Sequence, residues 1–179
     1  MSIFFNKLIT KEYLMTVYPQ ISNQLITPEL WVWGLNSDGQ LGNNTTNFIY
    51  TPITTFAGGT NWKQVACGSY HTVAIQSNGT LWAWGLNNAA GLGLNNLTNY
   101  SSPKQVGSLS TWKNVACSAS WTVALKTDGT LWAWGINQPG ALGLGNRTYY
   151  SSPKQVGALT TLSTLFVGPI SNSTLAILS

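Results

Sequence analysis

Histidine and carboxylate side chains, the most usual general acids and bases, number five in this chain: one histidine, His71, and four acids. The acids stand apart in the sequence, and none is paired with another for acid–base work: Glu12, Glu29, Asp38 and Asp128. His71 lies in a segment that returns fifty residues later with Trp121 in its place, so we expect His71 to pack or to line a loop. The Gly-Leu-Gly segments at 91–93 and 143–145 precede no helical pattern, so they do not predict a phosphate-binding loop. The sequence therefore predicts a protein that is not an enzyme.

The two cysteines, Cys67 and Cys117, each follow Val-Ala and also stand fifty residues apart. Equivalent positions of neighbouring repeats would lie too far apart for a disulfide, so we expect each cysteine to be a small buried hydrophobe. Two cysteines of this kind indicate no particular redox compartment for the protein. A metal site needs a cluster of ligands, which one histidine and four scattered acids do not provide. We therefore predict no metal and no cofactor.

Amide and tyrosine side chains recur in the loops around a Trp-rich segment, and they are the remaining candidates for recognition chemistry. Amides beside exposed aromatic rings suit sugar or protein binding, since rings bind with little loss of entropy. The alternative interpretation gives the amides to turns and the rings to packing. The candidate recognition residues at this rim are Asn36, Asp38, Asn87, Asn88, Tyr100, Asn137, Gln138, Tyr149 and Tyr150.

These residues are positioned by an internal repeat. Leu-Trp-Ala-Trp-Gly at 81–85 returns at 131–135, and Leu-Trp-Val-Trp-Gly precedes both at 30–34. Ser-Pro-Lys-Gln-Val-Gly at 102–107 returns at 152–157, and Trp-Lys-Gln-Val-Ala-Cys at 62–67 returns as Trp-Lys-Asn-Val-Ala-Cys at 112–117. Every tryptophan except Trp121 falls on a repeated position, which favours a scaffold role for the tryptophans over a ligand cage.

Each period predicts four short strands rather than helices. We expect strands at 62–67, 71–76, 81–86 and 102–106, with Asn-Gly at 78–79 and Asp-Gly at 128–129 forming hairpin turns. Large and small side chains alternate with period two over 81–86, and helical periodicity is missing throughout the repeat. A four-stranded unit every fifty residues, marked by tryptophan and glycine, predicts an all-β chain of β-propeller blades.

The motif Leu-Trp-x-Trp-Gly, followed by Leu-Gly, Pro, Trp-x-x-Val-Ala-Cys and Thr-Val-Ala-Leu, closely resembles the regulator of chromosome condensation repeat over residues 30–179. The resemblance implies a propeller of four-stranded blades. The founding member of that family is a nucleotide exchange factor for a small GTPase. Most relatives use the scaffold for other binding tasks, and no motif here allows exchange-site residues to be carried over.

The repeat boundaries predict three blades and an arm. Residues 1–29 form an N-terminal arm or anchor, 62–111 and 112–161 are complete blades, and 30–61 and 162–179 are the halves of a split blade. Three blades fall below the usual range of about four to eight, so we expect head-to-tail association to complete the split blade. A homodimer is the favoured assembly, and a trimer, a filament or a truncated segment of a longer propeller are the alternatives.

Composition narrows the function classes. Only 7% of the 179 residues are charged, and the eight lysines and arginines form no run, which disfavours nucleic-acid binding. No stretch approaches the roughly 18 apolar residues of a transmembrane segment. No cleavage site of a secretory signal follows the apolar N-terminus.

A surface solvated by Asn, Ser and Thr suits extracellular or virion-surface assemblies. The leading hypothesis is therefore a non-catalytic structural or interaction propeller that serves as a decoration, cap or fibre subunit of a virion or other extracellular assembly, with residues 1–28 contacting other subunits. One alternative is a soluble lectin-like or protein-binding module with repeated rim sites, whose ligand would be a glycan or a protein. The second alternative is a guanine-nucleotide exchange or GTPase-regulating scaffold.

Overall fold

In the computed structural model of the chain, short strands form a series of antiparallel sheets. The structure describes residues 29–55, 61–138, 140–158, 160–167 and 174–178. The predicted arm therefore lies outside the described residues except for Glu29. The strands in chain order are β1 (Trp31–Gly34), β2 (Ile49–Thr54), β3 (Trp62–Cys67), β4 (His71–Gln76), β5 (Leu81–Gly85), β6 (Tyr100–Gln105), β7 (Trp112–Cys117), β8 (Trp121–Lys126), β9 (Leu131–Gly135), β10 (Tyr150–Gln155), β11 (Leu162–Val167) and β12 (Thr174–Leu178).

The strands group into four sheets that follow the repeat. The first sheet is β1–β2, the second is β3–β4–β5–β6, the third is β7–β8–β9–β10, and the fourth is β11–β12. Strand order within each sheet equals chain order, so every sheet is a meander of hairpins. No helix long and apolar enough to cross a membrane occurs in the part of the chain that the structure describes.

The hairpin turns lie where the Asn-Gly and Asp-Gly pairs predict them. Between β4 and β5, Gln76 N donates to Thr80 O at 3.0 Å, and Gly79 N donates to Gln76 O at 2.9 Å. Gly79 has a φ of +81°, which fits a three-residue loop with glycine in the left-handed region rather than a two-residue turn. A Cβ at this position would also collide with the carbonyl oxygen of Ser110, so both the backbone angle and the space require glycine.

The hydrophobic core lies between the sheets rather than within one of them. Period-two alternation along β4 sends Val73 and Ile75 into a cluster with Trp112 and Trp134 of the third sheet. Ala74, on the opposite face of β4, packs in the cluster with Leu30, which directly precedes β1. The third sheet repeats this arrangement, because Val123 and Leu125 of β8 pack with Leu162 and Leu165 of β11, and Ala124 packs toward the second sheet.

Candidate functional site

The asparagine that follows each Trp-rich strand is a scaffold residue. Asn87 is fully buried, its Oδ1 accepts a hydrogen bond from Leu92 N at 3.1 Å, and its Nδ2 donates to Asn96 O at 2.8 Å. The equivalents Asn36 and Asn137 are equally buried and hold their own loops through the same two kinds of bond. Asn36, Asn87 and Asn137 were expected at a recognition rim. That placement is wrong, because their amides are buried and occupied by loop backbone.

The neighbouring polar residues do lie at the surface. Asn88 and Gln138 are exposed, each next to a buried scaffold asparagine. Asp38 is half-buried, and its Oδ2 accepts a hydrogen bond from Ser37 Oγ at 2.9 Å. These three side chains are available to a partner, and their role in recognition stays a prediction.

Tyr100 and Tyr150 start the outer strands of the second and third sheets, and both take part in the same pair of contacts. Asn96 Nδ2 donates to the Tyr100 hydroxyl at 3.3 Å, and Lys104 Nζ lies 5.5 Å from the Tyr100 ring centroid. In the third sheet, the corresponding distances to Tyr150 are 3.1 Å for Asn146 Nδ2 and 5.7 Å for Lys154 Nζ. Each tyrosine is half-buried under an exposed lysine. We call Tyr100, Lys104, Tyr150 and Lys154 the edge surface.

The first sheet carries no such pair. The register of β1 and β2 places Ile49 opposite Gly34, as Tyr100 lies opposite Gly85 in the second sheet. Counting from there, Ile53 takes the place of Lys104. The fold thus accepts an aliphatic residue at both positions, so the Tyr–Lys pair is a property of the two four-stranded sheets and not a requirement of the strand.

The charge of the two four-stranded repeats is strongly asymmetric. Residues 62–161 contain one acid, Asp128, and six cationic residues: Lys63, Lys104, Lys113, Lys126, Arg147 and Lys154. All of the cationic residues except Lys126 are exposed. Tyr149, which stands next to Tyr150, is 47% exposed and adds a large apolar ring to this basic surface.

The comparison with protein families agrees with the sheet pattern. The family model of the regulator of chromosome condensation (RCC1) repeat matches residues 29–75, 78–125 and 128–168, and a second model of the same repeat matches residues 62–90 and 112–140. The chain belongs to the RCC1 repeat family. The resemblance inferred from the sequence is thereby confirmed.

Two relatives are similar to part of this chain. A Protein RCC2 homolog of Xenopus laevis is 41% identical over 86 residues, which cover 46% of this chain and 17% of that protein. The ultraviolet-B receptor UVR8 of Arabidopsis thaliana is 38% identical over 82 residues, which cover 45% of this chain and 18% of that protein. This chain thus spans less than a fifth of the length of either relative.

A solved structure shows the same fold. Yeast RCC1 (Prp20), in a crystal structure with Kap60 bound, superposes on 80% of this chain and 37% of its own, with a TM-score of 0.70 and 20% identity. The all-β prediction and the four-stranded blades are confirmed, and this RCC1 chain forms part of a propeller. The second and third sheets are complete four-stranded blades, and we use that term for them below.

Lys126, for which the sequence predicted no role, lies against two tryptophans in the third blade. Its Nζ is 3.6 Å from the Trp132 ring centroid and 5.1 Å from that of Trp112. Burial lowers the pKa of this ammonium, while nearby Asp128 acts to raise it. The repeat of the second blade has Gln76 at the equivalent position. The replacement of this glutamine by a lysine in the third blade was the sequence feature that could have pointed to Lys126.

His71 is buried and contacts the third blade from the second. Its Nε2 lies 3.1 Å from Thr122 Oγ1, and Thr122 Oγ1 donates to Gly91 O at 2.8 Å. Since the hydroxyl has one proton and gives it to Gly91, Nε2 must be the donor to Thr122. Burial lowers the pKa of His71 to about 4, so the imidazole is neutral at pH 7. Gly68 makes room for the ring, because a Cβ there would collide with it.

Cys117 also packs between the two complete blades, whereas Cys67 lies beside Thr72 of its own blade. Cys117 is buried, its Sγ donates to Ala66 O at 3.6 Å, and burial raises the pKa of its thiol. Cys67 is half-buried, and burial raises the pKa of its thiol to about 11. Both thiols are free. Within the described ranges, no three histidine, cysteine or acidic side chains come together as a group that could hold a metal ion.

Proposed function

We propose that this chain is a non-catalytic interaction propeller that binds an acidic protein partner along the edge surface of its two complete blades. The observation that carries the proposal is the repeated Tyr–Lys pair on β6 and β10, which the first sheet replaces by Ile49 and Ile53. A residue pair that the fold does not require, repeated on adjacent blades, suits recognition better than scaffolding.

The chemistry of the edge surface favours an acidic partner. Six cationic side chains against one acid over residues 62–161 give a positive field that attracts carboxylates. A lysine over a tyrosine ring presents charge and apolar area together, and tyrosine is among the residues enriched at protein interfaces. A relative of the same fold also binds a protein, since yeast RCC1 has been crystallised with Kap60 bound.

Photo-crosslinking tests the proposal at the surface itself. A benzoylphenylalanine at position 149 lies beside the edge surface, whereas one at exposed Lys63 on β3 lies at the opposite edge of its sheet as a control. A partner captured only at position 149 is then purified and its affinity measured by calorimetry. We expect Lys104→Gln with Lys154→Gln to weaken binding about tenfold and to flatten its dependence on salt.

The chain provides a matched control for charge loss. Lys63 and Lys113 are exposed and repeated on β3 and β7, at the opposite edges of the same sheets. Lys63→Gln with Lys113→Gln removes the same net charge and is expected to leave the affinity within about threefold of the original. Equal losses in the two double variants, or crosslinks of equal pattern at positions 149 and 63, would contradict the edge surface as the binding site.

The other functions predicted from the sequence each need a separate test. The named relatives give no support to a virion or fibre subunit, to a head-to-tail ring or to a glycan ligand, and these stay predictions. Light scattering would test the ring, and a glycan array with Tyr100→Ala and Tyr150→Ala would test the lectin-like role. Nucleotide exchange on a GTPase is a further prediction that a nucleotide-release assay addresses, since likeness to yeast RCC1 at 20% identity shows the fold alone.

A further inference from the structure

A cleft of about 390 Å³ lies between the two complete blades, lined by residues other than the four of the edge surface. Its walls are apolar where Leu109, Trp112 and Trp132 line it, and Asn95, Ser152 and Lys126 add polar groups. The volume is within the range of about 300–1,000 Å³ that is usual for small-molecule sites. The cleft is therefore large enough for one or two side chains of a bound peptide.

Lys126 gives the cleft its chemical character. Only 7% of the residue is exposed, and its ammonium lies against the two tryptophan rings of the wall. The acid that acts on it, Asp128, is itself exposed, and its Oδ1 accepts hydrogen bonds from Thr130 N at 3.0 Å and from Thr130 Oγ1 at 2.7 Å. The ring faces stabilise the cation electrostatically, whereas the three N–H donors of an ammonium are best matched by carboxylate oxygens.

We propose that this cleft binds the carboxylate side chain of a glutamate or aspartate in an extended segment of the partner, with Lys126 as the cationic contact. The inference rests on the proposed function for the presence of an acidic partner, and it adds a second, deeper contact to the edge surface. Apolar walls exclude water, so an ion pair with Lys126 is stronger there than one with an exposed lysine.

Two blocked peptides test the cleft without the partner: acetyl-Gly-Leu-Glu-Leu-Gly-amide and the same peptide with Gln in place of Glu. Binding is followed by NMR through the indole N–H of Trp132, which donates to Thr130 Oγ1 at 2.9 Å. We expect the Glu peptide to bind about tenfold more tightly than the Gln peptide, and Lys126→Gln to remove that difference. Lys126→Arg keeps the charge and should preserve the preference.

The controls separate this proposal from the proposed function. Glutamine already occupies the equivalent position 76, so the fold accepts Lys126→Gln, and unchanged indole resonances of Trp82 and Trp84 would show that the variant is folded. Lys104→Gln with Lys154→Gln should leave peptide binding intact. The proposal is overturned if neither peptide binds at millimolar concentration, if both bind equally, or if the Glu preference survives Lys126→Gln. None of these outcomes depends on whether the edge surface captures a partner.

Discussion

Trp134 donates its indole N–H to the backbone carbonyl oxygen of Gly91 in the preceding blade, at a distance of 2.8 Å. The same contact occurs one repeat earlier, where Trp84 donates to the carbonyl oxygen of Gln40 at 2.9 Å. Both tryptophans are fully buried. The second tryptophan of the Leu-Trp-x-Trp-Gly motif therefore stabilises the packing of neighbouring sheets. Its ring is buried, and its N–H donates one hydrogen bond to the loop of the preceding repeat.

Trp134→Phe should destabilise the fold more than Trp132→Phe. The first change removes the buried bond to Gly91 O and part of a buried ring, and we expect it to lower the free energy of unfolding by about 2 kcal/mol. Trp132 is half-buried and donates to the Thr130 side chain, so we expect its substitution to cost about 1 kcal/mol or less. Urea unfolding followed by circular dichroism measures both. Equal costs would mean that the bond between the blades contributes little.

Asn87 and Asn88 form a matched pair of adjacent residues, one buried and one exposed. Asn87→Ala leaves the buried Leu92 N–H without its acceptor, and we expect it to lower the free energy of unfolding by about 2–3 kcal/mol. Asn88→Ala should change it by less than about 0.5 kcal/mol. Thermal unfolding of the two variants checks the prediction. A larger loss for Asn88→Ala would contradict the scaffold role assigned to the buried asparagine.

The loop asparagines also show how far the sequence could be interpreted. The fifty-residue period, the Asn-Gly and Asp-Gly turns and the alternation of large and small side chains over 81–86 predicted the strands, because these features depend on local backbone geometry and on the period-two direction of side chains along a strand. An asparagine after each Trp-rich strand is compatible with a buried side chain that holds its own loop and equally with an exposed recognition residue. Only the packing of residues 87–96 shows which of the two it is.

The cleft lay beyond sequence reasoning for a related reason. The change from Gln76 to Lys126 is visible in the repeat, but either side chain is compatible with the end of a strand before a turn. The environment of Lys126 depends on the two tryptophan rings beside its ammonium and on the loop of the preceding blade that contains Asn95. The two tryptophans lie on β7 and β9 of the same blade, whereas Asn95 and Leu109 of the cleft precede that blade, and local patterns do not encode how the two blades pack.

The stability of the protein should fall between about pH 6.5 and pH 4 because of His71. Burial lowers the pKa of His71 to about 4, below the ordinary value of 6.5, so the unfolded chain binds a proton that the folded chain rejects. Stability is therefore complete above the unfolded pKa and is lost as the pH falls toward the folded pKa. The total loss should be about 3 kcal/mol.

Urea unfolding at pH 7, 5.5 and 4 measures this dependence, and His71→Gln is the control because it cannot titrate. Hydrogen bonds from Thr130 hold the pKa of Asp128 below its ordinary value of 3.8, so the effect of Asp128 on stability falls mostly below this window. We expect the His71→Gln variant to have a nearly flat profile from pH 7 to pH 4. A profile as steep as that of the unmodified chain would assign the effect to other groups.

Gly93 allows the indole of Trp134 to reach its position between the blades. A Cβ at Gly93 would lie 2.6 Å from Trp134 Nε1, and the φ of Gly93 is +71°. Gly107 has a similar φ of +63° with nothing within 4 Å of its Cβ position, so Gly107→Ala measures the backbone strain alone. We expect Gly107→Ala to cost about 1 kcal/mol and Gly93→Ala about 2–4 kcal/mol in the free energy of unfolding.

A thermodynamic cycle identifies the source of the excess cost at Gly93. If the added methyl group collides with the indole, combining Gly93→Ala with Trp134→Phe should recover part of the loss, because the smaller ring leaves room for a Cβ. The same combination with Gly107→Ala should be additive. Additivity in both combinations would show that Gly93 is required for its backbone angle and not for the close approach of Trp134.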